Sequence, residues 1–154
     1  MRVAGIDPGK DGGVAIRCPN GSWVAFPIPL VGKDIGVAQI ADELCSLNVT
    51  RVVIERQQSM PKQGLVSTFT IGRNYGMLLG MLAARQIPFV EITAQQWKGR
   101  ILKGTKKDKP AAISYANRIA PSVDLTPGKR TTPHDGMADA ICMAEYALTL
   151  EGNQ

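Results

Sequence analysis

Four carboxylates in the 154-residue chain stand where their type and spacing could do chemistry: Asp7, Glu55, Asp135 and Asp139. Asp7 closes the apolar run Arg2 to Asp7, and Pro8-Gly9 breaks the chain directly after it, so the run reads as a strand ending in an acid. Glu55 closes a second such strand, RVVIE from Arg51 to Glu55. Asp135 and Asp139 are four residues apart in a helical segment, which puts them on one helix face. Gathered together, the four would be a set of hard oxygen donors suited to Mg²⁺. Two such ions about 4 Å apart can activate water on one side of a phosphodiester and stabilise the leaving oxygen on the other. Singly, each acid has a plainer reading as a turn start, a strand end or a helix N-terminus. The set, on these elements, points to a site.

The rest of the composition narrows the partners. A single histidine and three cysteines (Cys18, Cys45, Cys142) without C-x-x-C spacing all but exclude a Cys/His zinc site, and the odd cysteine count suits a reducing compartment. With no apolar run approaching about 18 residues and no cleavable signal, the sequence predicts a protein that neither spans a membrane nor is secreted. The expected location is cytoplasmic, in a reducing compartment. The net charge of +5 is unevenly spread: residues 51 to 130 hold fourteen basic and four acidic side chains, while residues 131 to 154 hold four acidic and no basic ones. A basic middle is what a polyanion partner requires, although a solvated face would also produce it.

The elements that must position the acids follow from periodicity. Gly12 to Arg17 and Ser22 to Pro27 are two further strands around the turn Pro19-Asn20-Gly21, giving an antiparallel meander with the first. A helix is predicted over Ile35 to Leu47, a long helix over Thr68 to Arg85, and a fifth strand over Phe89 to Ile92. Thr93 caps a short helix from Gln95 to Leu102, Pro110 opens a helix to Ile119, and the last helix runs from His134 to Leu150. At 44% apolar, the chain is expected to fold as one domain over residues 1–154. The order β-β-β-α-β-α-β-α-α-α predicts an α/β fold of ribonuclease H-like type: a five-stranded mixed sheet, three strands antiparallel and then parallel ones, flanked by helices.

Gly5-Ile6-Asp7-Pro8-Gly9, Ile54-Glu55 and the closing DGMADA of Asp135 to Ala140 resemble, in order, the acidic motifs of RuvC-type Holliday junction resolvases. The likeness runs over nearly the whole chain and looks closest to the phage and plant chloroplast resolvases. It implies a Mg²⁺-dependent endonuclease, with Mn²⁺ able to substitute, that acts as a homodimer on four-way branched DNA. Asp7, Glu55, Asp135 and Asp139 would then be the catalytic metal ligands. The last two acids are four apart here and commonly three apart in bacterial RuvC, and His134 beside them reads as a bland neighbour.

Further residues acquire roles in this light. Six of the thirteen residues from Trp97 to Lys109 are basic: Lys98, Arg100, Lys103, Lys106, Lys107 and Lys109. These, with Arg73 of the long helix, are candidate DNA contacts, and the resemblance puts Lys98 near the scissile phosphate. The polar stretch Gln57 to Gly64 matches a loop that enters the junction centre in resolvases, and Met60 is its candidate wedge. Gly72, Gly76 and Gly80 recur every four residues along the long helix, which implies tight packing either on the sheet, the simpler reading, or on a second subunit. Met77, Leu78, Met81 and Leu82 read as core. Ribonuclease H-type hydrolysis of RNA–DNA hybrids and non-catalytic junction binding are the rival functions.

Overall fold

The computed structural model describes residues 1–150. Strands β1 (Val3–Asp7), β2 (Gly13–Arg17) and β3 (Trp23–Pro27) form the antiparallel meander. A small ribbon, β4 (Leu30–Val31) with β5 (Asp34–Ile35), precedes helix α1 (Val37–Ser46). Then come β6 (Arg51–Glu55), α2 (Leu65–Ala84), β7 (Phe89–Ile92), α3 (Ala94–Ile101), α4 (Lys109–Ile119) and α5 (Asp135–Thr149). The main sheet has the order β3-β2-β1-β6-β7, with β6 parallel to both β1 and β7. This is the expected ribonuclease H-like α/β fold. The ribbon has no signature in the sequence, because two-residue strands are too short for any alternation to show.

Side-chain alternation along the strands sends the core to two sides of the sheet. Ala4, Ile6, Val52 and Ile54 pack with Ile40 and Leu44 of α1 and Leu78 and Leu82 of α2. On the opposite face, Val3 and Val53 pack with α5, with Trp97 of α3 and with Ala112 of α4. Asp7 and Glu55 are two residues beyond Gly5 and Val53, so they share the α5 face. Ile6 lies opposite Ile54 in the parallel register, which sets the next residues, Asp7 and Glu55, side by side at the strand ends.

Helix α5 lies directly on the sheet because glycines let it. A Cβ at Gly5 would come within 2.2 Å of the Ala140 carbonyl oxygen, and one at Gly136 equally close to that of Asp11. Any side chain at either position would lift the helix, and Asp135 and Asp139 with it, away from Asp7. Among the described residues no helix is long and apolar enough to cross a membrane.

Three expectations for α2 are corrected. It starts at Leu65, three residues early, with Leu65, Val66 and Phe69 exposed. The Gly72, Gly76 and Gly80 stripe does not pack on the sheet, since nothing lies within 4 Å of where their side chains would be. Met77 is 40% exposed and not core, whereas Leu78 and Leu82 are fully buried. Spacing identifies the stripe but cannot tell which way it faces.

Candidate active site

Asp7, Asp135 and Asp139 line one cleft of about 670 Å³ at the carboxyl ends of the central strands. Gly9 and Asp11, from the turn after β1, contribute to the same cleft. Its other wall is the first half of α2, with Ser67, Thr70 and Asn74. Lys109 reaches the cleft from the start of α4, and its Nζ is 2.6 Å from Asp135 Oδ2.

The electrostatics of the cluster are dominated by burial, to which crowding among the carboxylates adds. Burial pushes the Asp7 carboxyl up to about 7, and Glu55, Asp139 and Asp135 push the same way against a backbone hydrogen bond at Gly9. Burial likewise raises Asp139 to about 6; Lys98 opposes this, while Glu55 and Asp135 add to it. Asp135 behaves oppositely: its hydrogen bond to Lys109 holds its pKa below the usual carboxylate value. Asp7 and Asp139 are therefore each within electrostatic reach of the other three carboxylates.

Glu55 does not line the cleft. Its Oε2 accepts a hydrogen bond of 2.7 Å from Trp97 Nε1, and Trp97 is wholly buried. The indole is fixed in turn by the start of α3, where Thr93 accepts from the Gln96 amide and the Gln96 side chain accepts from the Thr93 amide. The ammonium of Lys98 lies 5.2 Å from the Trp97 ring centroid. Thr93 as a cap is legible in sequence. The hold of Trp97 on Glu55 is not, because it joins residues 42 apart in the chain.

His134 has a structural task. It is 6% exposed, and its Nδ1 accepts from the Met137 backbone N–H at 3.2 Å, capping α5. Burial lowers its pKa, which keeps the lone pair available for the cap.

The candidate DNA contacts are dispersed. Arg100, Lys103, Lys106 and Lys107 are exposed on α3 and the loop after it, outside the cleft lining. Arg73 is ion-paired with Asp34 of the ribbon and is also outside the cleft. Met60 is 59% exposed, in a turn closed by the Gln63 N–H on the Met60 carbonyl at 3.1 Å.

The donor chemistry of the four acids fits a hard divalent cation such as Mg²⁺. They do not form a finished cage: among the described residues no three of His, Cys, Asp and Glu converge closely enough to hold one ion. Lys109 occupies one oxygen of Asp135 and Trp97 one oxygen of Glu55, leaving a second oxygen on each.

No protein-family model matches the chain, and neither does any curated protein sequence. Solved structures do match. A Thermus thermophilus RuvC in complex with Holliday junction substrate superposes with a TM-score of 0.65 at 17% identity, covering 94% of this chain and 90% of that one. A second Thermus thermophilus RuvC structure gives 0.64 at 16% identity, with 98% and 97% covered. The yeast mitochondrial Holliday junction resolvase gives 0.62 at 16% identity, with 98% and 80% covered. The chain therefore has the fold of these resolvases over nearly its whole length, with its acids at the carboxyl ends of the central strands and the start of α5.

Proposed function

We propose that the protein is a Mg²⁺-dependent endodeoxyribonuclease that resolves four-way DNA junctions as a homodimer, with Mn²⁺ able to substitute. The observation that carries this reading is Asp7, whose carboxyl is pushed up to about 7 by burial and by three other carboxylates. Such crowding in a chain of net charge +5 is unfavourable on its own account and is relieved by a divalent cation. The descriptions of the solved structures sharing the fold, one with a Holliday junction substrate and one a Holliday junction resolvase, favour branched DNA as the substrate.

Asp7, Glu55, Asp135 and Asp139 would hold the metal. When bound, Mg²⁺ would supply an acidified water and neutralise charge on the phosphate oxygens. The chain's own groups do the positioning. Trp97 restrains Glu55 so that one oxygen is committed and the other is available. Lys109, 77% exposed, can leave Asp135 for a phosphate oxygen, which frees the carboxylate as the strand arrives. Lys98, close enough to lower the pKa of Asp139, offsets charge developing on the phosphate. Hydrolysis would leave 5′-phosphate and 3′-hydroxyl ends, and Arg100, Lys103, Lys106 and Lys107 would hold the flanking duplex.

Two symmetric nicks need two sites, and one chain carries one set of acids. The outer face of α2 supports a second copy: its glycine stripe is open, and Phe69 and Met77 beside it are exposed. The test is cleavage of one branched DNA, one linear duplex and one RNA–DNA hybrid, each with and without Mg²⁺. Cutting confined to the branched DNA with Mg²⁺ is expected. Preference for the hybrid would replace this reading with a ribonuclease H activity.

A further inference from the structure

The turn from β1 to β2 brings two charged side chains, Lys10 and Asp11, into the lining of the cleft. The shape of this turn is fixed from several sides. The Gly12 N–H donates to the Gly9 carbonyl at 2.9 Å, which closes the turn with Lys10 and Asp11 at its tip. The Gly12 carbonyl accepts from the Ile28 N–H at 3.0 Å, and Gly12 pairs with Gly136 at the start of α5. A Cβ at Gly12 would fall 2.0 Å from the Asp7 carbonyl oxygen, so the turn folds back against the end of the strand that bears Asp7. The backbone of Lys10 is thereby held in register with both Asp7 and Asp135, while its side chain is exposed.

Charge in the cleft is unbalanced. Among the described residues its lining holds four carboxylates, Asp7, Asp11, Asp135 and Asp139, and two ammonium groups, Lys10 and Lys109. Lys109 is engaged with Asp135, and Lys98 is drawn to Asp139. Lys10 makes an ion pair with none of the four acids, although it shares a turn with Asp11. An exposed pair of that kind gains little over two hydrated ions, so the ammonium of Lys10 stays available to an anion that binds it better. A DNA strand entering the cleft carries one negative charge per nucleotide past these acids, and a phosphate held beside them requires a cation. Lysine suits this task as a compact charge on a flexible stem, which follows a phosphate without demanding one geometry.

We propose that Lys10 is a substrate-binding residue whose ammonium donates to a backbone phosphate of the DNA strand seated in the cleft. This rests on the nuclease reading above and adds a contact to it. The experiment measures affinity for four-way DNA in EDTA, for wild type, Lys10→Gln, Lys10→Arg and Lys33→Gln. Lys33 is an exposed lysine at the tip of the β4–β5 ribbon, and its replacement controls for net charge alone. Lys10→Gln should bind about tenfold more weakly, the loss expected for one charge-assisted hydrogen bond, and Lys10→Arg should recover most of it. The junction is then prepared with one uncharged methylphosphonate at each position in turn along the strand to be cut. One of these positions should cost wild type about tenfold and cost Lys10→Gln nothing further, because the contact is already gone. Unchanged affinity in Lys10→Gln would overturn the proposal. So would an equal loss in Lys33→Gln, or a Lys10→Gln variant as sensitive as wild type at every phosphate, since either marks a diffuse field without a contact. A wild type that neither binds nor cuts four-way DNA would sink the nuclease reading and this contact with it, whereas failure of the variant criteria alone leaves that reading standing.

Discussion

Replacing Asp7 with asparagine should make the metal-free protein more stable at pH 8 while abolishing cleavage. The folded carboxyl titrates at about 7 against a reference of 3.8, so folding favours its protonated form. The stability this group contributes is complete below the reference value and is lost as pH rises from about 4 to about 7. Each pKa unit corresponds to about 1.4 kcal/mol, which makes roughly 4 kcal/mol an upper bound at pH 8. Part of the shift is shared with Asp139 and disappears from both sites together, so about 2–3 kcal/mol is the working figure. For a domain of this size that is a rise in melting temperature of about 4–10 °C. Asparagine keeps an oxygen for the hydrogen bond at Gly9, so the substitution removes charge and leaves the packing nearly intact. Thermal unfolding in EDTA at pH 5 and pH 8 separates the causes. The gain at pH 5 should be less than half that at pH 8, because pH 5 lies only about one unit above the reference value and folding there has to protonate a carboxyl that is ionised in the unfolded chain. An equal gain at both values, or none at pH 8, would refute the argument from carboxylate crowding.

Other consequences are open to simple measurement. Loss of the cap in His134→Ala should cost about 1 kcal/mol in denaturant unfolding and leave cleavage largely intact, whereas Asp135→Asn and Asp139→Asn should each lose cleavage. The reverse pattern at 134 and 135 would hand the ligand role to the histidine. Replacing Lys103 and Lys106 should flatten the salt dependence of DNA binding by about one unit of slope for each phosphate no longer held, while Lys98→Ala should reduce turnover more than affinity. Gly76→Leu should shift a dimer toward monomer in sedimentation at micromolar concentration, and an unaffected dimer would discard α2 as the interface.

Much of this arrangement can be read from sequence because strands announce themselves by short apolar runs and the acids sit at their ends. RVVIE and FVEI form β6 and β7 with the boundaries that the runs suggest. Four-residue spacing puts Asp135 and Asp139 on one face of a helix that proves to be the most buried in the chain. What stays hidden depends on which surfaces meet. Helical periodicity shows a glycine stripe on α2 but not that it faces outward, and it assigns Met77 to a core that its neighbour Leu78 enters and Met77 does not. Nothing in GIDPG or DGMADA shows that Gly5 and Gly136 are required by the close approach of α5. Pairings between distant segments, Trp97 with Glu55 and Lys109 with Asp135, leave no local signal. The same holds for Asn74, an ordinary residue type in an unusually buried position.

The central claim is paired cutting of four-way DNA by two chains, and a supercoiled plasmid that extrudes a cruciform tests it most directly. Two symmetric nicks made within the lifetime of one complex convert the plasmid to linear DNA, whereas a single nick releases the supercoiling, reabsorbs the cruciform and stops at the open circle. With Mg²⁺, linear product should appear without prior accumulation of open circles, and Asp7→Asn should bind the cruciform and yield neither. Open circles alone, or linear product that forms only after them, would contradict the dimeric resolvase.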